Sequence, residues 1–254
     1  MRIVAVISPK GGVGKTTVTA NLASELTKSG EHVLALDLDP QNALRLHLGM
    51  PHADPAGIAR LQKGQSWKNA LQKSQFGMDY LPYGTVDETH REVMEEQIRS
   101  DAEWLARGLD TLELDDTAIV MLDTPPGPGL YMQQVLSVAH IVLVVLKPDA
   151  ASYSTVPQME SLIHYYTERR KDFLGYCVVL NQMDATKQLA RDIFSILRSR
   201  LKDKFIPTGI HRDEAVCEAL AYQQPVTEYA RHSSAAHDVS QLAAWLQKTY
   251  GLID

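Results

Sequence analysis

The chain has 254 residues, 44% of them apolar, enough to bury a sizeable core and to argue against intrinsic disorder. Lys and Arg number 25 against 31 Asp and Glu, a formal charge of -6, which argues against a uniformly basic surface gripping nucleic acid by bulk electrostatics, while a local basic patch stays compatible with it. The two cysteines, Cys177 and Cys217, have no C-x-x-C spacing and no histidine at ligand distance in sequence, so both are expected to be packing residues and not metal or redox groups.

The opening run at 1–8 has strand length and lacks the pattern of a secretory leader. The longest apolar stretch, 141–146, is far below the roughly 20 residues a membrane-spanning helix needs. A soluble, cytoplasmic protein without direct membrane insertion is expected. In chain order, apolar runs at 3–8, 33–38, 80–83, 119–123, 141–146, 176–180 and, more weakly, 205–210 read as strands. They are rich in Val, Ile and Leu without strict alternation, as central parallel strands covered on both faces should be. Helical segments are expected at 16–29, 86–112, 130–139, 155–171, 187–201, 213–222 and 234–250. This alternation predicts an α/β fold: one domain over 1–254 with a doubly wound, mostly parallel sheet of seven or eight strands flanked by helices. The least patterned stretch, 47–77, is expected to be an excursion of short helices, serving packing in preference to the alternative of a partner surface.

Directly after the first strand stands Ser8-Pro9-Lys10-Gly11-Gly12-Val13-Gly14-Lys15-Thr16-Thr17, followed by a helix. Glycines in such a turn let backbone N–H groups converge on an anion, and the helix N-terminus adds its positive dipole end. Lys15 is placed to reach the β and γ phosphates of a nucleotide, and the Thr16 hydroxyl to coordinate Mg²⁺. The general phosphate-loop pattern wants glycine where Pro9 stands, and here Lys10 opens a K-G-G-x-G-K-T-T run. In this the chain resembles the deviant phosphate loop of the MinD/ParA group of dimerising ATPases, a likeness that runs from the first strand to the last helix. The resemblance implies ATP and Mg²⁺ as ligands of residues 10–17, and a homodimer sandwiching ATP in which Lys10 reaches the phosphates of the other subunit.

The second strand ends Asp37-Leu38-Asp39-Pro40-Gln41. Two acids two residues apart share a face in a strand, at the sheet edge where doubly wound folds bind ligands. By the resemblance, Asp37 helps organise the magnesium shell and Asp39 orients the attacking water, making Lys10, Lys15 and Asp39 the catalytic set. The competing reading is a pair of turn-forming aspartates before a proline. Asp123 closes an apolar run as a Walker B acid would. The Thr-Pro-Pro-Gly after it resembles a switch segment, so Pro126 and Gly127 join Asp37, Asp39 and Asp123 as expected switch residues. Asn181 stands where the group presents an amide to adenine. Where relatives commonly read Ile-Pro-Arg, this chain has Ile210-His211-Arg212-Asp213. His211, Arg212 and Asp213 are therefore placed as nucleotide contacts, against the alternative that His211 is a surface residue and Asp213 a helix N-cap.

Segments at 63–67, 80–84, 210–215, 218–220 and 224–229 are similar to the cellulose-biosynthesis members of the group. The likeness implies a slow, partner-regulated ATP switch that supports assembly, localisation or activation of a membrane cellulose synthase, with a small cytoplasmic subunit of that system as partner. A DNA-segregation ATPase is the first rival and needs a cationic surface. Lys187, Arg191, Arg198, Arg200, Lys202 and Lys204 cluster near one helix but are diluted by Asp192 and Asp203, which favours a solvated helix face. The last helix carries Val239, Leu242, Leu246 and Tyr250 at helical spacing with Lys248 as its single basic residue, so it reads as core packing and not as a membrane-surface helix. A nucleotide-bound dimeric scaffold with negligible turnover stays open.

Overall fold

The computed structural model describes residues 1–50 and 55–252. Its sheet has seven strands: β1 (Arg2–Ile7), β2 (Val33–Asp37), β3 (Gln72–Lys73), β4 (Asp79–Leu81), β5 (Ile119–Asp123), β6 (Ile141–Leu146) and β7 (Gly175–Leu180). They run in the order β3-β4-β2-β5-β1-β6-β7. Every neighbouring pair is parallel except β3 with β4. The helices are α1 (Lys15–Lys28), α2 (Leu44–His47), α3 (Glu88–Ser100), α4 (Trp104–Asp110), α5 (Leu130–Val138), α6 (Ala150–Tyr153), α7 (Val156–Thr167), α8 (Gln188–Leu201), α9 (Glu214–Ala221), α10 (Val226–Tyr229) and α11 (Ser234–Tyr250).

Because side chains alternate along a strand, the sheet feeds two separate cores. Val4 and Val6 face Val18, Leu22 and Leu26 of α1 together with Val239, Leu242 and Leu246 of α11. Ile3, Ala5 and Ile7 face Val135 of α5, Ile163 of α7 and Leu197 of α8. The apolar stripe of α11 is thus spent on the core, as its spacing suggests. No described helix is long and apolar enough to cross a membrane.

Three departures from the sequence reading have local causes. The expected strand at 205–210 is reduced to isolated parallel bridges, Val178 with Phe205 and Met183 with His211. Ile206 N–H donates to Val178 O and Ile210 N–H to Leu180 O, so four residues span what two span on β7. Pro207, which lacks an N–H, and Gly209 occupy the bulge between. The expected helix 86–112 is two helices, broken at Asp101. There the buried Gln134 side chain accepts from Leu105 N–H at 3.1 Å and donates to the carbonyls of Ile98 and Asp101 at 3.4 and 2.8 Å. The excursion at 47–77 holds short helical turns at Ile58–Arg60 and Trp67–Ala70, as expected, but also the antiparallel edge strand β3, which no periodicity announced; its residues 51–54 lie outside the described part.

Candidate nucleotide site

The ends of β1, β2, β5 and β7 meet at one edge of the sheet, and the register sets Asp123 level with Val6 on one side and Asp37 on the other. From β1 the chain turns through residues 8–14 into α1. Gly12 and Gly14 hold φ of +71° and +90°, the left-handed region that suits glycine. A Cβ on Gly14 would lie 2.3 Å from Asn181 Nδ2. No side chain caps α1, so its first N–H groups are left for an anion.

Lys15 is buried at the head of α1. Burial lowers the pKa of its ammonium, and the charges of Asp123 and Asp39 oppose that shift. Asp123 is fully buried; its Oδ1 accepts from Thr19 Oγ1 at 3.4 Å, and the Thr16 hydroxyl helps to hold its carboxylate charged. Burial pushes its carboxyl up to about 7, with the neighbouring Asp39 charge adding to the shift and Thr16 and Lys15 resisting it. Among the described residues its Oδ2 has no hydrogen-bond partner. Asp37, also fully buried, differs: Oδ1 accepts Asp39 N–H at 2.9 Å and Oδ2 accepts Leu44 N–H at 3.0 Å. Burial and the charge of Asp123 raise it well above the usual range. Asp39 lies just past the strand, partly exposed, and its Oδ1 accepts Gln41 N–H at 2.9 Å.

A buried carboxylate oxygen without a partner, beside a threonine hydroxyl and a loop built for an anion, fits a divalent cation. Among the described residues no group of three or more His, Cys, Asp or Glu forms a metal-holding cluster. Magnesium keeps waters and takes phosphate oxygens alongside one or two protein ligands.

The segment after β5 lies against the loop. Thr124 Oγ1 donates to Val6 O at 2.8 Å, Gly127 N–H donates to Ser8 O at 3.0 Å with φ of +80°, and Pro126 packs beside Gly11. Lys10 donates its backbone N–H to Ser8 Oγ at 3.2 Å. Its ammonium makes no hydrogen bond or ion pair among the described residues.

Beside the loop opens a cavity of about 500 Å³, with Gly14, Thr17, Lys147, Asn181, Gln182 and residues 210–213 among its lining and Val18, Val216, Leu220 and Val239 as apolar walls. The structure thus brings Asn181, His211, Arg212 and Asp213 to one cavity beside the phosphate loop. Asn181 braces that loop: Nδ2 donates to Val13 O at 2.8 Å, and Oδ1 accepts Gln182 N–H at 2.9 Å. Asp213 caps α9 through Ala215 N–H at 3.0 Å and also accepts Ala235 N–H at 3.1 Å, so both oxygens serve the fold. Arg212 is anchored by its backbone to Met183 O at 2.8 Å and leaves its side chain exposed.

Two residues, one behind this cavity and one lining it, escaped the sequence reading. Asp238 of α11 accepts both the backbone N–H of His211 at 2.8 Å and its Nδ1–H at 2.7 Å. The signal was a carboxylate on the stripe 235–239–242, where apolar residues belong. His47 lines the cavity from α2, 5% exposed, and burial pulls its imidazole down to about 4. Cys177 is buried as expected, whereas Cys217 is exposed on the cavity wall, because α9 turns that position away from the core. In the basic cluster Lys187 pairs with Asp184 at 3.5 Å and Arg200 with Glu160 at 2.6 Å. Lys204 lies 4.4 Å from the centre of the Tyr176 ring. Two of the cluster's six cations are thus ion-paired among the described residues.

A glycine loop between β1 and α1, with Lys15, Thr16 and Asp123 converging behind it and a lysine at the loop's entrance, defines a P-loop ATPase of the MinD/ParA type. The fold agrees. The septum site-determining protein MinD complexed with Mg-ADP from Pyrococcus horikoshii superposes with a TM-score of 0.75 at 25% identity, covering 99% of this chain and 98% of that one. Cobyrinic acid a,c-diamide synthase from Mycobacterium smegmatis with bound ADP and magnesium gives 0.79 at 27% identity, over 98% and 95%. Within this class the family model for cellulose biosynthesis protein BcsQ matches residues 1–246, and the chain belongs to that family. It is 30% identical over 248 residues to cellulose biosynthesis protein BcsQ of Salmonella typhimurium, covering 96% of this chain and 94% of that protein.

Proposed function

We propose that this protein is a cytoplasmic, magnesium-dependent ATPase that dimerises around ATP and acts as a switch in assembling, localising or activating a bacterial cellulose synthase complex. The observation that carries the proposal is the pair of unspent groups at the loop: the partnerless Oδ2 of Asp123 and the unpaired ammonium of Lys10. The first suits a cation that the protein alone does not supply. The second suits phosphate oxygens, including those of a second copy. Relatives crystallised with Mg-ADP support the choice of ligands.

In this mechanism the N–H groups of residues 11–16 and the Lys15 ammonium hold the β and γ phosphates. Thr16 and Asp123 are the residues that would hold Mg²⁺, with Asp37 stiffening the turn between them and Asp39. When bound, magnesium would offset phosphate charge during phosphoryl transfer. Asp39, whose Oδ2 has no hydrogen-bond partner among the described residues, accepts a hydrogen bond from the attacking water and orients it. Lys10 of one copy stabilises charge on the phosphates of the other, as an arginine finger does. Gly127, tied to Ser8, couples the phosphate loop to α5 and so to the surface a partner reads. The partner proposed is the synthase complex with its small cytoplasmic subunit.

The test is turnover of the wild type against Asp39→Ala at saturating ATP. A loss of roughly a hundredfold or more is expected for a residue that positions the nucleophile. Equal rates would favour a nucleotide-bound scaffold without a hydrolytic cycle.

A further inference from the structure

We propose that His211, held in one tautomer by Asp238, reads the 6-amino group of the purine base bound in this cavity. The proposal rests on the cavity being the nucleoside pocket of an ATPase, and it concerns a position where proteins of the wider MinD/ParA group commonly carry proline. Asp238 is only 5% exposed on α11. Burying a carboxylate is costly unless it is hydrogen-bonded, and here both bonds go to residue 211. That investment fixes the ring of a residue at the cavity wall.

The chemistry follows from what each group can donate. A carboxylate only accepts, so the proton between Asp238 Oδ2 and His211 lies on Nδ1. In a neutral imidazole the other nitrogen, Nε2, is then an acceptor, and it has no partner among the described residues. Adenine presents an N–H donor at its 6-position, whereas guanine and hypoxanthine present an oxygen acceptor there. An acceptor Nε2 therefore pairs with a 6-aminopurine and repels a 6-oxopurine. Asn181 on the same wall cannot flip to suit either base, because Nδ2 is pinned to Val13 O and Oδ1 to Gln182 N–H. Of these two side chains His211 is the one left free to read the 6-position, with Asp238 as its positioning residue.

The experiment measures affinity of the full-length wild type, His211→Ala, His211→Gln and Asp238→Asn for ATP, ITP and purine riboside triphosphate, which lacks the 6-amino group. Each competes against a fluorescent ATP analogue. For the wild type, ATP is expected to bind about tenfold tighter than purine riboside triphosphate, and tighter still relative to ITP, the scale of one hydrogen bond that is lost or replaced by repulsion. His211→Ala brings the first ratio to roughly twofold or less. His211→Gln, whose Oε1 offers an acceptor in place of Nε2, keeps most of it. Asp238→Asn, which frees the tautomer, loosens discrimination against ITP. The inference is overturned if His211→Ala weakens all three nucleotides in equal proportion, since the ring then only shapes the pocket. It is equally overturned if the ratios do not change. Failure of the wild type to bind any nucleoside triphosphate would overturn the ATPase reading along with it.

Discussion

His47 gives the structure a pH dependence whose sign and size can be worked out. The imidazole is 5% exposed, packed between α2 and the cavity, and forms no hydrogen bond or ion pair among the described residues. Burial alone lowers it from 6.5 to about 4. A group depressed on folding contributes stability that is fully present above its unfolded value and lost as the pH falls. Between pH 6.5 and 4 the unfolded chain takes up a proton that the native chain refuses, so unfolding becomes easier by ~3 kcal/mol over that window. The perturbation is His47→Leu, which removes the titration. At pH 7, where the ring is neutral, the variant is expected to be about as stable as the wild type, since leucine fills the same buried position with a side chain of similar volume. Urea unfolding at several pH values between 4 and 7.5 gives the difference in stability between the two proteins, in which their shared carboxylates cancel. The difference should swing towards the variant by a few kcal/mol on acidification. Parallel stability curves would refute the reasoning and show that water reaches the ring.

Other expectations follow from single contacts. His32 has the opposite sign: the hydrogen bonds its ring donates to Asp79 and Asp115 raise it, so its modest, solvent-screened contribution is present below 6.5 and lost as the pH rises through the raised value, a trend that His32→Ala should abolish in the same unfolding series. Gly14→Ala puts a Cβ 2.3 Å from Asn181 Nδ2 at a φ of +90°; a left-handed penalty of about 1–2 kcal/mol plus displacement of Asn181 should weaken ATP binding by roughly tenfold or more in a calorimetric titration, and unchanged affinity would contradict the loop geometry. Gly108→Ala decides between two effects. Helix propensity favours alanine by about 1 kcal/mol, but the new Cβ would lie 2.2 Å from the Trp67 ring. Overpacking of about 1–3 kcal/mol should win, and a raised melting temperature would show that Trp67 gives way.

Local features were legible in the sequence, and long-range ones were not. The glycine loop, Lys15 and the first helix occupy consecutive positions, and Asp123 closes an unbroken apolar run, so their chemistry is written in short windows. Val239, Leu242 and Leu246 announced a core-packing helix by spacing alone. The break at Asp101 is set by Gln134, 33 residues away, and no helical pattern near residue 101 records it. The run at 205–210 has strand composition, yet the bulge at Pro207 and Gly209 limits its pairing to isolated bridges. Asp238 stands 27 residues from His211. Its place on the buried face of α11 was visible, but its partner became plain only once α11 packed beside the bulge. Asp37 and Asp39 both belong to the D-x-D pair, but strand geometry could not tell that the first spends both oxygens on backbone N–H groups while the second keeps one free.

The most direct test of the central claim is the mass of the protein in solution, by light scattering, with and without ATP and Mg²⁺. The account predicts twice the 28.2 kDa chain mass for the wild type with ATP and the single-chain mass without it, while Lys10→Ala still binds ATP but stays at the single-chain mass. A wild type that remains monomeric with ATP bound, or a Lys10→Ala variant that dimerises normally, would contradict it.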